Sequence, residues 1–300
     1  MGTEVFYGCE KLNTVNIPTT ITTIPKGMFG HCINLTSITI PSTIITIEQK
    51  AFFQCGLTKI SIPDSVQTIG DFAFYFCGIS NVELGANIHD VNGSIFAKCN
   101  YLTNISISEN NPYYYEKQDC LISKSNGSIA LGITTSTIPE DNTVTSIADK
   151  AFYYVTLKNI HIPGNIVSIG NDVFIGSYLE TITLSEGLVS IGDNAFVRVD
   201  KLIIPNSVTT IGAGALNAEY IVLGTNVRTM GQGALPVQNS TIFILSDYVI
   251  DTPHWSTLWS TLQIYIRDDM YNKYINKFPY SSYKSNIKPL SEYQGEIPTN

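Results

Sequence analysis

Cysteine is the residue of this sequence whose spacing could support chemistry. Most of the cysteines lie three residues after a phenylalanine that itself recurs every 22 or 23 residues. The members of this cysteine column are Cys9, Cys32, Cys55, Cys77 and Cys99. Thiols stacked in this way could form a ladder of disulfides or hold metal ions. A small apolar side chain that fills the same place in every copy of a repeated core would show the same spacing.

The second interpretation of the cysteine column is favoured. An odd number of thiols cannot all pair, and the equivalent places in later copies are held by Val155, Ser177 and Val199. Valine cannot replace a metal ligand, whereas it readily replaces a buried thiol. Cys120 is out of phase with the column and is expected to be free.

The other residues that carry chemistry in enzymes do not form a recognisable site. The four histidines are far apart in sequence, and no G-x-S-x-G or G-x-x-x-x-G-K segment occurs. The glycines of GTNVRTMGQG (224–233) belong to a repeat, and turn geometry explains Asp71, Asp149 and Asp193. The sequence alone leaves a carboxylate pair for glycoside hydrolysis open. We predict no enzyme activity, no metal and no cofactor.

The composition indicates an ordered protein with a polar surface that carries few charges. Hydrophobic residues make up 44% of the 300 residues, which is enough to bury a core. Charged residues make up only 14%, against about 25% in an average globular protein. The net charge is −8, and Lys and Arg form no cluster. Nucleic acid and anionic membrane surfaces are therefore not expected as partners.

Neither a membrane span nor an export signal is visible in the sequence. No run of about 18 apolar residues occurs, so we expect no direct membrane insertion of this segment. EVFYGCEKL follows Met1-Gly2 directly and already reads as the second half of a repeat. We therefore expect the chain to begin within a longer protein, with any export signal or anchor upstream.

The phenylalanines define an internal repeat. The first markers are Phe6, Phe29, Phe52, Phe74 and Phe96, and after an interruption the series resumes at Phe152, Phe174, Phe196, Leu216 and Leu235. A single coil cannot bury its own apolar side, whereas stacked coils bury a continuous one. The series therefore predicts a solenoid of about ten coils.

Each copy reads as strand, bend, strand and turn. In LTSITIPSTIITIEQKAF (35–52), alternating apolar residues predict a short strand that Pro41 ends, and Ile44 and Ile47 predict a second one. A glycine then permits a turn in most copies, at Gly70, Gly170, Gly192, Gly212 and Gly231. The next residue is expected to cap a one-turn helix that carries Ala-Phe, as at Asp71, Asn171 and Asp193.

LTSITIPSTIITIEQKAFFQC and LTKISIPDSVQTIGDFAFYFC resemble the BspA-type leucine-rich repeats of bacterial cell-surface proteins, whose pattern is LxxIxIPxxVxxIGxxAFxxC. The resemblance extends over about residues 4 to 250. It implies a leucine-rich-repeat solenoid of the α/β horseshoe class, strand-dominated with short one-turn helices, in a single elongated domain. It also implies a cell-surface or secreted location and adhesion to host matrix or other cells, without catalytic residues.

The repeat is interrupted between residues 108 and 138. Two apolar runs, CLIS and SIALGI, flank KSNG, which predicts a hairpin that turns at Asn126-Gly127. Asn-Asn-Pro and three tyrosines, Tyr113, Tyr114 and Tyr115, precede it. BspA-type proteins often carry a similar NPYY insertion. We expect either a coil with a projecting hairpin or a tyrosine-rich recognition loop.

Residues 251–300 differ in composition from the repeat and contain both tryptophans, Trp255 and Trp259. In DDMYNKYINKF the acidic residues come first and lysine later, which predicts a short helix. Because a solenoid must cover its last open core, we interpret this region as a C-terminal cap on a solenoid of residues 1–250. Its sequence resembles the endings of repeat proteins from gut Bacteroidales.

One column of outward positions on the predicted strands offers a surface for binding. This strand-face column is polar in the early copies, for example at Glu83, and also at His161 and Thr183. It becomes apolar at Ile203, Val222 and Ile244. Exposed aliphatic side chains on adjacent strands must be covered or used. We expect either that the C-terminal region covers them or that they form a ligand-binding surface flanked by His161 and Glu83.

Two functions follow as hypotheses. The first is a non-enzymatic extracellular adhesion module that recognises a host-matrix or cell-surface protein through the stacked-strand face. The alternative is a carbohydrate-binding accessory protein whose exposed Tyr or Trp rings stack on sugars. The candidate binding residues are Glu83, His161, Thr183, Ile203, Val222, Ile244, Tyr113, Tyr114 and Tyr115.

Overall fold

The computed structural model of the chain describes residues 2–177, 179–196, 198–236, 239–251, 262–277 and 280–298. Most of its strands are short and pair in parallel with the next copy of the repeat, so the predicted strand-dominated leucine-rich-repeat solenoid is confirmed. By its internal contacts the chain divides into two compact units. Unit 1 consists of Met1–Pro139 and Lys150–Leu157, and unit 2 of Glu140–Asp149 and Lys158–Asn300.

The short strands of unit 1 form two parallel sheets. The first sheet contains β1 (Thr23–Ile24), β2 (Thr46–Ile47) and β4 (Thr68–Ile69), and the second contains β3 (Lys59–Ser61), β5 (Asn81–Leu84) and β6 (Asn104–Ile107). Equivalent residues of successive copies are register partners, as Ile24 with Ile47 and Ile60 with Val82. These partners are buried, so each sheet presents a ladder of apolar side chains to the core.

The phenylalanines that mark the repeat form a continuous stack inside unit 1. Adjacent rings from Phe6 to Phe96 are nearly parallel, with centroids 5.2 to 5.6 Å apart. Phe174 and Phe196 of unit 2 stack in the same way at 5.5 Å. Each coil thus covers the apolar side of its neighbour, as the repeat predicts.

The turn that carries Ala-Phe differs from the prediction, because it is not a helix in any copy that the structure describes. The N–H of Phe53 bonds within the turn to Lys50 O at 3.1 Å, whereas the N–H of Phe52 bonds to Ala73 O of the next coil at 2.8 Å. The backbone of Lys50 and Gln54 is left-handed, with φ values of 58° and 56°. This alternation directs every second N–H to the neighbouring coil, which a helix cannot do.

The glycine before this turn permits it, but not by adopting a left-handed backbone conformation. Gly70 and Gly231 lie outside that region, and their lack of a side chain serves close packing instead. A Cβ at Gly70 would lie 2.5 Å from the N of Gln49 in the preceding coil, and one at Gly231 would lie 2.4 Å from the N of Ala213. Glycine therefore allows the coils to approach one another.

The residue at the predicted capping position follows a glycine at Asp71, Asn171 and Asp193 and follows Ala148 at Asp149. It does accept hydrogen bonds, but from groups of the neighbouring coil. In unit 2, the Oδ1 atoms of Asp149, Asn171 and Asp193 accept hydrogen bonds from the N–H groups of Asn171, Asp193 and Ala213, at 2.6 to 2.7 Å. In unit 1, Asp71 accepts a hydrogen bond from Ser94 Oγ at 2.7 Å. These side chains connect coils and do not cap helices.

The interruption of the repeat forms an antiparallel meander of β7 (Tyr114–Lys117), β8 (Cys120–Ser123) and β9 (Ser128–Gly132). The hairpin turns at Asn126-Gly127, where Gly127 has a φ of 66°. The expectation of a projecting hairpin is wrong, because β8 and β9 are almost entirely buried. Leu121 and Leu131 belong to the main core of unit 1, where the hairpin takes the place of a coil.

Unit 2 contains three groups of parallel strands. The first consists of β10 (Ser146–Ile147), β12 (Ser168–Ile169), β14 (Ser190–Ile191), β16 (Thr210–Ile211) and β18 (Thr229–Met230). The second pairs β11 (Asn159–Ile162) with β13 (Thr181–Leu184). The third consists of β15 (Val199–Ile203), β17 (Ala218–Leu223), β19 (Thr241–Ile244), β20 (Gln263–Ile266) and β21 (Ile287–Pro289).

The C-terminal region continues the third group, because β20 and β21 add to β19 in parallel register. Between these two strands lie the predicted helix, α1 (Asp268–Ile275), and a 3₁₀ helix (Tyr280–Asn286). A second 3₁₀ helix spans Leu290–Glu292. Asp268 and Asp269 occupy the first turn of α1 and Lys273 the last, which complements the helix dipole.

Two buried tyrosines fix this region to the last coil of the repeat. The hydroxyl of Tyr274 donates to Tyr248 O at 2.8 Å, and that of Tyr280 donates to Ile250 O at 3.0 Å. The two rings meet edge to face, with centroids 4.7 Å apart. Trp255 and Trp259, which contributed to the cap prediction, lie outside the described residues.

Candidate functional site

The cysteine column belongs to the core. Cys32, Cys55, Cys77 and Cys99 are buried, Cys9 is exposed, and all of them are free thiols. Each buried thiol donates a hydrogen bond to a phenylalanine carbonyl of the preceding coil, as Cys55 Sγ does to Phe29 O at 2.9 Å. Burial raises the pKa of Cys55 and Cys99 to about 12. Neutral, buried thiols are poor nucleophiles and poor metal ligands.

The described residues contain neither a cluster that could hold a metal ion nor a helix that could span a membrane. Within them, no group of three or more His, Cys, Asp and Glu side chains is placed to hold a metal ion. The same residues contain no helix that is long and apolar enough to cross a membrane, and α1 has only eight residues. Cys120 is buried in the hairpin and free, as predicted.

The strand-face column exists, with one correction. In unit 2, His161 is the register partner of Thr183, and Ile203 is the partner of Val222. Val222 then pairs with Phe243, not with Ile244, so the prediction for Ile244 is wrong by one residue. Ile244 pairs with Leu223 and is fully buried in the core. The prediction took the residue before the last apolar residue of each strand as the outward one. Here the apolar run continues past the strand Thr241–Ile244 to Leu245, so the rule selected Ile244 instead of Phe243.

Much of the apolar part of this column is covered by the C-terminal region. Val222, Phe243 and Tyr265 are buried and form one cluster on the outward face of the third strand group. Leu290, Tyr293 and Ile297 pack against this cluster. The ring of Tyr293 meets those of Phe243 and Tyr265 edge to face, with centroids 4.8 and 4.9 Å away. Val222 is therefore buried, although the sequence predicted it to be exposed. Ile203 is half-buried at the border of the cluster.

Where this cover ends, a groove of about 640 Å³ opens on the same face. We call it the unit 2 groove. Its apolar lining is provided by Ile203, Ile204, Pro205, Val222, Leu245, Ile297 and Pro298. Its polar lining includes His161, Thr183, Ser185, Glu186 and Asn206. The structure thus brings together four of the predicted binding residues, namely His161, Thr183, Ile203 and Val222.

The polar part of the groove is organised around His161. Its Nδ1 lies 2.7 Å from Thr183 Oγ1, and its Nε2 lies 3.4 Å from Ser185 Oγ. Both side chains come from the neighbouring copy, whose parallel register places them beside the imidazole. The two hydroxyls keep hydrogen-bonding capacity beyond the imidazole, because each hydroxyl has a donor and two acceptor sites.

The wall next to this polar part is held by hydrogen bonds between successive coils. Burial alone would raise the pKa of Glu186. The pKa is nevertheless lowered, because the carboxylate accepts hydrogen bonds from the N–H groups of Asn206 and Ser207 at 3.0 and 2.8 Å. Asn206 in turn accepts a hydrogen bond from Thr225 N at 2.9 Å. Side chains of successive coils thus hold the strand ends in place and leave a carboxylate at the edge of the groove.

The remaining predicted residues belong to unit 1. Glu83 is exposed on β5, between its register partners Ser61 and Ser106. Tyr114 and Tyr115 line a cleft of about 300 Å³ with Ser106, Ser108, Glu109, Glu116 and Lys124, among others. We call it the tyrosine cleft. Tyr113 is 47% exposed, and its ring contacts that of His89.

Asn111 positions the tyrosines, and sequence analysis did not identify this role. Its buried amide donates to Ile88 O at 2.9 Å, and its Oδ1 accepts from the N–H groups of Tyr113 and Tyr114, both at 2.8 Å. The hydroxyl of Tyr114 donates to His89 O at 3.3 Å, and burial raises its pKa. The Asn-Asn-Pro segment was the signal from which this anchor could have been inferred.

Sequence analysis also missed part of the unit 2 groove. Ser185 and Pro205 lie two residues after the predicted column positions Thr183 and Ile203, so the alternation of the strands could have identified them. Leu245 lies two residues after Phe243 and was missed because the predicted register of that strand was wrong. Ile297 and Pro298 carry no such signal, because only the folded chain places residues so distant in sequence beside Val222.

Comparison with known proteins places the repeat in a family. The BspA type leucine rich repeat region matches residues 22–126 and 126–235, in six copies. No curated protein matches the chain.

Several solved structures share the fold. The pneumococcal vaccine antigen PcpA has a TM-score of 0.53 and 18% identity, covering 83% of this chain and 70% of its own. A leucine rich cell surface protein from Faecalibacterium prausnitzii A2-165 has a TM-score of 0.52 and 23% identity, covering 86% of this chain and 64% of its own. A leucine-rich repeat protein from Bacteroides ovatus ATCC 8483 has a TM-score of 0.50 and 21% identity, covering 89% and 72%.

These structures show a common fold, and the chain spans about two thirds of the length of the Faecalibacterium protein. The family is shown by the sequence match together with the geometry. The copies match in phase over residues 22–235, and the phenylalanines of the motif stack from coil to coil. This chain therefore belongs to the BspA-type leucine-rich repeat family.

Proposed function

We propose that this protein is a non-enzymatic, extracellular binding module that recognises a host-matrix or cell-surface protein through the unit 2 groove. One observation carries the proposal: an apolar surface at the half-buried Ile203 and Leu245 is bordered by the polar side chains of His161, Thr183 and Ser185. Protein interfaces have this composition, with an apolar centre that excludes water and a polar border that adds specificity.

The size of the groove and its hydrogen-bonded walls support this proposal. Its volume is about 640 Å³, and it lies on stacked strands whose side chains are hydrogen-bonded between coils. A preformed surface binds with a smaller entropic cost than a mobile loop. Family membership and the cell-surface description of the Faecalibacterium relative support an extracellular location.

The test is to measure binding of the full chain to a panel of immobilised extracellular-matrix proteins and to whole host cells. We expect Thr183→Arg and Ile203→Lys to weaken the binding found by about tenfold or more. Val167→Lys is the matched control, because it introduces the same charge at an aliphatic residue of unit 2 that is 47% exposed outside the groove. Binding by all three variants with wild-type affinity would refute the groove as the binding surface.

A second candidate function is carbohydrate recognition at the tyrosine cleft. Its specific support is that two tyrosines line the cleft together with carboxylates, hydroxyls and Lys124, a set typical of sites that bind sugar hydroxyls. Tyr113, which directly precedes Tyr114 and is 47% exposed, offers a further ring for stacking.

A glycan array separates the two candidates. If the cleft binds sugars, the wild-type chain gives signals that Tyr115→Ala removes and that Thr183→Arg leaves unchanged. If no glycan gives a signal, or if Thr183→Arg removes it, the carbohydrate hypothesis for the tyrosine cleft is wrong.

A further inference from the structure

We propose that the unit 2 groove takes an extended peptide segment of its partner, with an aliphatic side chain on Ile203 and Leu245 and hydrogen-bonding groups at His161, Thr183 and Ser185. This inference rests on the proposed function and specifies the chemistry of its ligand. The partner segment is neutral or basic.

The protein's own chain shows what this face accommodates. The segment after the second 3₁₀ helix contains no further helix or strand up to Pro298. Tyr293 and Ile297 of this segment pack on the cluster of Val222, Phe243 and Tyr265, and Ile297 and Pro298 form part of the groove lining. The face therefore already holds an aliphatic-proline sequence without helix or strand at one end, and the groove continues that surface.

The dimensions of the groove suit a short peptide. Its lining residues His161, Thr183, Ile203 and Val222 come from four successive copies of the repeat. At about 4.8 Å between neighbouring strands, these positions span about 14 Å. An extended chain advances about 3.3 Å per residue, so about four residues cover the distance from the apolar end to the polar end.

The charges of the lining favour a neutral or basic segment. Among the described residues that line the groove there is a carboxylate, Glu186, and there is neither a lysine nor an arginine. Hydrogen bonds from two backbone N–H groups keep this carboxylate ionised and at the edge of the groove. An acidic peptide would be repelled there, whereas a lysine or arginine of the partner would be attracted.

The polar part of the groove matches the backbone of such a peptide. His161 bonds with both ring nitrogens to hydroxyls, so Thr183 and Ser185 are held in defined positions on β13 and just after it. A hydroxyl can accept from a peptide N–H or donate to a peptide carbonyl. These groups provide orientation, and the aliphatic contact at Ile203 and Leu245 provides the buried area.

The test uses a phage-displayed library of random linear peptides, selected on the full chain. We expect the enriched peptides to contain an aliphatic residue and to have zero or positive net charge. Synthetic copies should bind Thr183→Arg and Ile203→Lys at least about tenfold more weakly than wild type, and the Val167→Lys control with unchanged affinity. In methyl NMR spectra, peptide addition should shift the signals of Ile203, Val222 and Ile297.

Three outcomes would overturn the inference: no enrichment above an empty matrix, enrichment of acidic peptides, or unchanged affinity of enriched peptides for Thr183→Arg. Because Thr183 is exposed, that variant is expected to fold, which thermal unfolding checks. Folded matrix proteins that bind at the groove while peptides do not would refute only the peptide inference. If neither folded proteins nor peptides bind, the proposed function fails as well.

Discussion

The buried thiols of unit 1 occupy equivalent surroundings on successive coils. Cys55, Cys77 and Cys99 each donate their proton to a carbonyl of the preceding coil. Burial raises the pKa of all three, and neighbouring thiols raise it further for Cys55 and Cys77. Ionising one of them would place a charge in an apolar core, which is costly. The repeated thiol is thus a small core side chain with its own hydrogen bond.

We predict that the native protein has one reactive thiol, Cys9, because Cys9 is exposed and the other cysteines are buried. At pH 8, the thiol reagent DTNB should release one equivalent of its chromophore quickly from the native chain and six after unfolding in guanidinium. Cys9→Ser should abolish the fast reaction. Fast reaction of two or more thiols in the wild type would show that the column is open to solvent.

The same thiols make stability depend on pH in the alkaline range. In the fold, burial raises the pKa of Cys55 and Cys99 from the ordinary 9.0 to about 12. Between these values the folded chain binds protons more tightly than the unfolded chain, so their contribution is complete below pH 9.0 and is lost as pH rises towards 12. Urea midpoints should fall over this range, and less so in the double variant Cys55→Val, Cys99→Val. Equal falls in both proteins would contradict the assignment.

Lysine substitutions at Ile203 and Ile244 test which of the two isoleucines faces the core. Ile244 is fully buried, so Ile244→Lys places an unpaired charge in the core and should cost about 4 kcal/mol or more of unfolding free energy. Ile203 is half-buried at a border, where lysine can extend into solvent, so Ile203→Lys should cost about 1 kcal/mol. Urea unfolding measures both costs. Similar costs for the two variants would refute the register of β17 and β19.

At the scale of elements, the conformation of each turn depends on close packing against the neighbouring coil. The glycine of the motif lies against backbone atoms of the preceding coil, and the side chain after it bonds to the next N–H. Neither device belongs to a single helix or strand. Both operate between copies, which explains why the motif specifies a glycine at this point and why Asp or Asn follows it at Gly70, Gly170 and Gly192.

Gly70→Ala should therefore destabilise the protein by about 1 to 3 kcal/mol, because the added Cβ would lie 2.5 Å from backbone N of Gln49. Gly78→Ala is the matched control, since a Cβ there would lie at an ordinary 3.5 Å from Leu57 O. The control should change stability by less than about 0.5 kcal/mol. Equal urea midpoints for both variants would show that close stacking does not require Gly70.

At the scale of the whole molecule, a repeat must stop without leaving an open core. We propose that residues 251–300 act as the cap that the sequence predicts. In the described part of this region, β20 and β21 extend the sheet, while Tyr274 and Tyr280 bond to carbonyls of the coil at Tyr248 and Ile250. This region also shapes the unit 2 groove, because Ile297 and Pro298 belong to its lining.

If the region acts as a cap, Tyr274→Ala should lower the unfolding free energy by about 3 to 5 kcal/mol, because it removes a fully buried ring and leaves the N–H of the buried Ile250 without its acceptor. Lys277→Ala, an exposed change close to the same helix, is the control and should have almost no effect. Chemical denaturation followed by circular dichroism measures both. A small effect of Tyr274→Ala would argue against a stabilising cap.

The sequence by itself determined the repeat, its apolar ladder and the family, because periodic apolar residues can be buried only by stacking. It also predicted His161, Thr183 and Ile203 as outward residues, since alternation along a strand is a local property. Strand alternation failed at Ile244, where a run of apolar residues hid the register that neighbouring strands fix.

Only the tertiary structure decided what covers that face and what remains open. Val222 is buried because Ile297, distant in sequence, packs beside it, and the unit 2 groove exists where that cover ends. The reason for the motif's glycine was equally hidden, since it depends on an atom of the preceding coil. Local periodicity specifies which side of a strand is apolar, whereas contacts between distant segments specify whether that side meets protein, water or a ligand.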